Sequence, residues 1–441
     1  MTVQKILLIS PAREETRIRP GTRPNILTKV FRHSQQLGLL NVASSAPEGI
    51  QIQILDENIE PIAFETDAEL IGISCMTATA ERAYEIADQF RDRGKLVILG
   101  GYHPTFMPEE AKAHADAICI GEAEGSFPQM IEDLRNGGLK EYYRSEPVDL
   151  AKIKTPDRSL IRKRSYIVEA IHGSRGCNYN CIYCSGSEFY RHRHRTRPIE
   201  SVVKEIEQLG KHILFLDSNI IGDRQYARSL FTKMKDMRKK WISQCSIEIA
   251  DDPELLELAR ASGCFGLFIG LETLNQANLD GVHKHFHAAQ RYRKQIATVH
   301  GKGIPICAGL MFGMDEDRKD IFDRTLDFLF ENEVEAINAF IITPFPGTRL
   351  YREWDKEERI FDKNWSNYDY HHAVFYPKHM EPEELEAGEQ RVLREFYSAK
   401  RTASRIFHSM SKGFNTVRGT VPLNIAYCYL HSRSRPRIAK S

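Results

Sequence analysis

Short apolar runs alternate with segments of helical spacing along most of this 441-residue chain, and each run stops on a small or turn-forming residue. In the first 140 residues the runs are 5–9, 50–55, 70–74, 96–99 and 117–120. Between the third and fourth, Ala80, Ala83, Tyr84, Ala87 and Phe90 recur at the spacing of one helix face. Strands separated by helices require right-handed crossovers, so they predict a parallel sheet covered on both faces. The runs end on Ser10-Pro11, Asp56-Glu57-Asn58, Ser74, Gly100-Gly101 and Gly121, which places all five ends on the carboxyl edge of that sheet, where open α/β sheets bind ligands.

A second series follows at 168–171, 213–216, 244–249, 267–271, 305–311 and 336–342. The gaps leave room for one helix in nearly every interval, which predicts a partial or complete parallel barrel with its function on the loops at the carboxyl ends. The stretch 141–165, polar, charged and interrupted by Pro147 and Pro156, reads as a linker. The expected organisation is a Rossmann-like α/β domain over 1–140, this linker, a (βα)6 barrel over 166–378, and a mostly helical region over 379–441, with helix from 381 to 405. From Tyr397 onward the chain carries nine Lys or Arg and no Asp or Glu, a solvated tail or a contact for acidic lipid or another polyanion at a membrane periphery.

Charge narrows the function. With 61 basic and 60 acidic side chains the formal charge is +1, so a strongly basic nucleic-acid binder is not indicated. No apolar run approaches the roughly 20 residues of a membrane helix. Nine cysteines, sparse and unevenly spaced, do not form a disulfide framework and point to a reducing cytoplasm.

Three of those cysteines stand together in Arg175-Gly176-Cys177-Asn178-Tyr179-Asn180-Cys181-Ile182-Tyr183-Cys184, in the loop after the first strand of the second series. Thiolates select zinc or iron–sulfur centres. A structural zinc site is closed by four ligands, and here the fourth could come only from His192 or His194, giving a zinc-stabilised binding module. A four-iron cluster on three cysteines leaves one iron open to a small molecule, as a catalytic cluster requires.

The spacing Cys-x3-Cys-x2-Cys, with an aromatic before the last Cys, resembles the radical S-adenosylmethionine superfamily. The resemblance implies that Cys177, Cys181 and Cys184 hold a [4Fe-4S] cluster whose open iron binds S-adenosylmethionine, with Tyr183 near the adenine. Later segments resemble the family's successive strands: Phe215-Leu216-Asp217-Ser218-Asn219, Gln244-Cys245-Ser246-Ile247, the strand ending at Glu272, and Gly309 through Gly313. They imply ligand contacts from Asp217, Asn219, Ser246 and Glu272, with Gly309 and Gly313 letting the backbone approach the adenine; a barrel-mouth salt bridge is the other reading of Glu272.

The first domain resembles the branch of that superfamily with an amino-terminal cobalamin-binding domain. The resemblance rests on Gln36-Leu37-Gly38-Leu39-Leu40, Asp56-Glu57-Asn58, Gly100-Gly101-Tyr102-His103-Pro104-Thr105 and Gly121-Glu122-Ala123-Glu124, in that order. It implies cobalamin beside Gly100, Gly101, Gly121 and Glu122, with His103 either facing it or capping a helix. The Asp-x-His-x-x-Gly triplet of methionine-synthase-like domains is absent, as in many members of this branch. A scaffold that has lost its ligand is the competing reading of this domain.

The implied activity is a cobalamin-dependent radical C-methyltransferase acting on an unactivated carbon of a small molecule or lipid. Oxidative cyclisation or rearrangement are alternatives, and so is a nucleic-acid-modifying enzyme using Arg191-His192-Arg193-His194-Arg195 on phosphates. That same run could instead dock an electron donor such as flavodoxin or ferredoxin. The aromatic and polar segment 364–376 is expected to line the substrate cavity or to form a surface loop anchored by Trp365.

Overall fold

The computed structural model describes residues 4–18, 35–161, 166, 168–411 and 424. Six parallel strands form the first sheet: β1 (Lys5–Ser10), β2 (Gln51–Asp56), β3 (Leu70–Ser74), β4 (Leu96–Gly100), β5 (Ala117–Ile120) and β6 (Tyr142–Arg144), in the order β2-β1-β3-β4-β5-β6. Alternation along each strand sends side chains to two faces. Ile6 and Leu8 of β1 pack with the helices Leu37–Ser45 and Phe127–Arg135, while Leu7 and Ile9 pack on the opposite side with the helix Ala80–Arg91. Both faces are thus covered by helices, which is why these strands read as continuous apolar runs. The chain turns one way from β1 to β2 and the other way to β3, opening a crevice at the carboxyl ends of β1 and β3.

The second sheet is also parallel and runs in chain order: β7 (Glu169–Ile171), β10 (His212–Phe215), β11 (Lys240–Cys245), β12 (Cys264–Glu272), β13 (Ile306–Phe312) and β14 (Ala336–Ile341). Helices such as Ile199–Gln208, Arg224–Met234 and Tyr292–His300 cover its outside, so the architecture is a six-stranded parallel half-barrel. A short ribbon, β8 (Ser174–Arg175) against β9 (Arg195–Thr196), closes the base of the cysteine loop. Across the molecule, one buried cluster joins the Leu7 face of the first sheet to the barrel interior.

Three expectations shift. The third barrel strand lies at Lys240–Cys245 rather than 244–249, because Ser246 caps a 3-10 turn over Ile247–Asp251. Ile247 and Ile249 are both buried in that turn, and their two-residue spacing imitates a strand. The polar stretch 141–165 opens with β6, which pairs with β5 from Ile118↔Tyr142 to Ile120↔Arg144 and buries Tyr143. A three-residue edge strand carries too short an alternation to show in sequence. The carboxyl-terminal helix is two, Pro382–Phe396 and Ala399–Ser411. Beyond residue 411, all of the basic tail except residue 424 lies outside the described residues. Among the described residues, no helix is long and apolar enough to cross a membrane.

Candidate active site

The carboxyl edges of the two sheets share a cavity of about 1190 Å³. From the first sheet, Ser10, Ser74, Gly100, Gly101 and Gly121 line it; from the barrel side come His172, Arg175, Asn338 and Phe340. It also runs down one face of the first sheet, over Leu8, Gly72 and Ile98, which lie in one row of paired residues. Gly38, in the first turn of the helix Leu37–Ser45, borders this space, and a Cβ built there meets nothing within 4 Å. Gly101 stands differently. Its φ of 97° and a Cβ position 2.7 Å from the Cys75 carbonyl oxygen require glycine for the turn itself. A broad, mostly apolar space over small residues suits a large flat macrocycle, so these residues fit a corrin.

His103 does not join that lining. Its ring is fully buried, with Nδ1 3.4 Å from Thr77 Oγ1 and Nε2 3.3 Å from Glu110 Oε1, edge-on to Trp365. The Thr77–Thr79 turn and the segment 365–367 enclose it, which removes it from the cofactor side. Glu122 borders the cavity, but its carboxylate is engaged elsewhere. Arg175 donates to Oε1 at 2.7 Å, Arg195 pairs with Oε2 at 2.8 Å, and the Val148 amide donates at 3.0 Å. Arg175 also reaches Glu124 at 2.6 Å. The Gly121–Glu124 turn therefore clamps the base of the cysteine loop to the first domain.

The loop itself is tightly held. Gly176, with φ of 82°, lies against the Arg193 carbonyl, and a Cβ there would fall 2.0 Å from that oxygen. Asn178 donates to the Gly222 carbonyl at 2.7 Å, and the Ile182 backbone bonds to Val282 and Leu350. Tyr179 stacks on Phe286 at 3.6 Å and its hydroxyl binds Glu248. Cys177, Cys181 and Cys184 are partly exposed on this frame. Burial pushes the Cys181 thiol up to about 12 and raises Cys177 as well. Among the described residues, no three His, Cys, Asp or Glu side chains converge tightly enough for a single metal ion. Three thiols spread along a rigid loop fit a larger centre, and thiolate chemistry fits iron–sulfur.

Lys284 was not singled out in the sequence, since an isolated lysine in a polar stretch carries no pattern. Its buried ammonium pairs with Glu272 and donates to the Gly270 carbonyl at 3.0 Å. Burial works against its charge, but Glu272, Cys181 and Cys184 together hold its pKa above the ordinary value. Glu272 itself sits at φ of 64° and also accepts from the Tyr183 hydroxyl. This places Glu272 in a salt bridge directly behind the cysteines.

The other barrel residues are likewise bonded to protein. Asp217 accepts from the Gly173 amide at 2.9 Å and the Ser174 hydroxyl at 2.6 Å, and burial raises it to about 6. Asn219 Oδ1 accepts from the Ser246 amide at 3.0 Å, while the Ser246 hydroxyl meets Glu248 and His287. His287, depressed to about 2 by burial and by Lys284, is a neutral link to the Tyr292 hydroxyl at 3.1 Å. Gly309 and Gly313 make room for protein rather than open space: a Cβ would fall 2.8 Å from the Phe268 ring and 2.6 Å from Leu385, respectively.

An aromatic wall divides the cavity from the cysteine loop. Tyr102 stacks on Phe189 at 4.4 Å, and a Cβ at Gly186 would lie 3.8 Å from its hydroxyl and 3.7 Å from Cys184 Sγ. Tyr190 and Tyr370 complete it. Of the segment 364–376, Asp369, Tyr370 and His371 line the cavity, whereas Val374 and Phe375 are core and Trp365 donates to Glu110 at 2.8 Å.

Comparison with known proteins agrees with this arrangement. Residues 26–131 match the B12 binding domain family and residues 171–329 the Radical SAM superfamily. The chain is 30% identical over 403 residues to bacteriochlorophyllide d C-8(2)-methyltransferase of Chlorobaculum tepidum, covering 86% of this chain and 89% of that protein. It is 29% identical to the same organism's bacteriochlorophyllide d C-12(1)-methyltransferase, over 88% of each chain. In three dimensions it resembles the cobalamin-dependent S-adenosylmethionine radical enzyme OxsB, with a TM-score of 0.70 over 97% of this chain and 72% of that one at 14% identity. The methyltransferase TsrM from Kitasatospora setae superposes with a TM-score of 0.66 over 80% of this chain and 76% of its own, at 17% identity. The chain belongs to the radical S-adenosylmethionine superfamily, in its branch with an amino-terminal cobalamin-binding domain.

Proposed function

We propose that this cobalamin-dependent radical S-adenosylmethionine C-methyltransferase acts on a magnesium tetrapyrrole of the chlorin type. The observation that carries the reading is the shared cavity: one space, walled by flat aromatic side chains, lies between the first sheet's edge and the cysteine loop. The two bacteriochlorophyllide methyltransferases, similar along nearly their whole length, support the substrate class. A relative 26% identical over 79% of this chain is an anaerobic magnesium-protoporphyrin IX monomethyl ester cyclase, so the same ring system recurs with different chemistry.

Cys177, Cys181 and Cys184 would hold the [4Fe-4S] cluster, with S-adenosylmethionine between Tyr183 and the barrel mouth. Gly38, Gly100 and Gly101 would border the corrin. When bound, these groups supply a methyl donor and a carbon-centred oxidant for an unactivated C–H bond. The chain's own residues hold the reactants in place and keep water out. Tyr102, Phe189 and Tyr190 form the flat side of the cavity that faces the cysteine loop, and the Glu272–Lys284 pair fixes charge behind the cysteines. Asp217, Asn219 and Ser246 position the loop and the strand ends around it.

The reducing partner docks on the exposed basic loop at Arg191, His192 and Arg193 in this reading. That loop is one residue contact from the cluster frame, since the Arg193 carbonyl lies against Gly176. An acidic flavodoxin or ferredoxin fits it by charge.

The test begins with anaerobic purification from cells supplied with cobalamin. Wild-type protein should contain about four iron and four sulfide with near-stoichiometric cobalt, and the triple Cys177→Ala, Cys181→Ala, Cys184→Ala variant should lose the iron and sulfide alone. Given S-adenosylmethionine and a reductant, the wild type should add one methyl group to a bacteriochlorophyllide. Methylation of a hopanoid instead, or a cyclised product without methyl transfer, would overturn the substrate assignment.

A further inference from the structure

His371 lines the shared cavity, its side chain 35% exposed. Its Nδ1 lies 2.9 Å from Oε1 of Glu389, a carboxylate only 1% exposed, carried by the helix Pro382–Phe396. A carboxylate at that distance accepts the Nδ1 proton and so fixes one tautomer, leaving the lone pair on Nε2. This is the arrangement of histidines that bind metals, whose second nitrogen is held by a carboxylate that orients the ring and raises its basicity. The ring sits beside flat neighbours: the Phe340 centroid is 6.3 Å away, and the adjacent Tyr370 packs on Phe340 at 5.2 Å. The Asp369 carboxylate accepts the His371 amide at 2.9 Å, fixing the backbone beneath the ring.

Two other histidines near the cavity lack one part of this arrangement. His172 borders the cavity, but its Nδ1 is buried without a partner and Arg175 and Arg197 lie close by. His372 has a carboxylate on Nδ1, Asp369 at 3.0 Å, yet does not line the cavity.

A magnesium held by the four nitrogens of a chlorin retains an axial position for a fifth ligand. We infer that His371 supplies that ligand, and thereby sets the position of the macrocycle and which of its edges meets the reactive centre. The inference rests on the tetrapyrrole reading of the cavity. It gives the site a means of distinguishing metallated from metal-free rings, and Glu389 is a positioning residue for it.

The experiment is a binding titration of the anaerobic, cobalamin-loaded full chain with a magnesium chlorophyllide, its zinc analogue and the metal-free pheophorbide, followed by the chlorin's red absorption band. Wild type should bind the metallated rings at least about tenfold more tightly, with the band shift of five-coordination. His371→Ala should bring the three affinities together, and added imidazole should restore the shift with the metallated rings alone. Glu389→Gln should lower the metal preference by about tenfold or more while leaving pheophorbide binding unchanged. His372→Gln should keep the wild-type preference. Equal affinity of wild type for all three rings, or a preference that survives His371→Ala, overturns the axial ligand while leaving the tetrapyrrole reading standing. Loss of nitrogen hyperfine coupling at cobalt in His371→Ala, with the chlorin preference intact, would also overturn it. Binding of no tetrapyrrole at all overturns both.

Discussion

The two sheet edges that meet across the cavity are built on opposite principles. The first sheet's edge is made of what is missing: Gly100, Gly101, Gly121 and two serines end its strands, and Gly38 faces open space. The barrel mouth is crowded with polar groups, and nearly every one is bonded to another. Asp217 holds Ser174, Asn219 holds Ser246, Glu248 holds Tyr179, and Glu272 holds Lys284. A large preformed group needs volume and a floor without side chains. A small reactive centre needs its frame fixed to a fraction of an ångström, which only a satisfied polar network provides.

The two edges meet at one ion-pair cluster, and breaking it should give the largest effect. Glu122 is buried between Arg175 and Arg195, so Glu122→Ala leaves buried Arg175 with Glu124 as its remaining carboxylate and Arg195 with the Val148 carbonyl. Losing one partner of such a cluster costs about 3–5 kcal/mol. Denaturant unfolding should show that loss, with iron content falling because Arg175 precedes the cysteine loop. An isosteric Glu122→Gln, which keeps some hydrogen bonds, should fall between. If Glu122→Ala unfolds like wild type, the edges are independent and the clamp does not couple them.

Within the barrel frame, the satisfied network has a pH signature. Burial raises Asp217 to about 6 from an unfolded value of 3.8, so the native state favours its protonated form. The stability linked to this group is therefore complete below pH about 3.8 and is lost as pH rises through about 6. A shift of this size corresponds to at most about 3 kcal/mol. Asp217→Asn keeps the acceptor for the Gly173 amide and can donate to Ser174 Oγ, but does not titrate. Between pH 4 and pH 7 the wild type should lose stability relative to this variant. Parallel pH curves for the two proteins would show that Asp217 is ionised at little cost, its charge balanced by Arg197.

Sequence reading reached the two edges unequally, for the same physical reason. A missing side chain at a strand end is visible in the sequence, and so the ordered glycines located the first sheet's edge. Strand alternation and the cysteine spacing likewise placed both sheets and the loop. What a polar side chain bonds to depends on distant parts of the chain, and there the reading diverged. His103 turned toward Glu110 and Trp365, 7 and 262 positions further along, and away from the cavity. Lys284 and Glu389 gave no local signal at all, because each acquires its partner only on folding. The 3-10 turn at Ile247–Asp251 went unread because two buried isoleucines at a spacing of two look like a strand until Ser246 caps them.

The open edge is tested by filling it. Gly38→Leu puts a side chain where a Cβ meets nothing within 4 Å, so the apoprotein should fold normally. It should lower cobalamin occupancy by about tenfold, equivalent to about 1.4 kcal/mol, and leave iron and sulfide unchanged. Cobalt and iron assays on the same sample separate the outcomes. Loss of both together would mean that the first edge also supports the cysteine loop through contacts other than the Glu122 clamp.

The smallest expected effect lies on the wall between the edges, and it reads function rather than stability. Tyr102 belongs to the first domain by chain and to the cysteine loop by contact: it stacks on Phe189 at 4.4 Å, and its buried hydroxyl, raised far above the ordinary phenol range by desolvation, is bonded to Tyr190. Tyr102→Leu removes the stack and the hydrogen bond while keeping apolar bulk, a change of about 1 kcal/mol for an aromatic pair. The protein should retain its iron and cobalt. What should change is the outcome of each turnover, because the wall no longer keeps water and stray hydrogen donors from the reacting carbon. The ratio of 5′-deoxyadenosine released to methylated product should rise several-fold, by the same free energy expressed as a partition. Tyr102→Phe, which keeps the ring, should stay near the wild-type ratio. If Tyr102→Phe leaks as much as Tyr102→Leu, the hydroxyl rather than the ring seals the site, and the polar order of the barrel mouth extends across the cavity into the first domain.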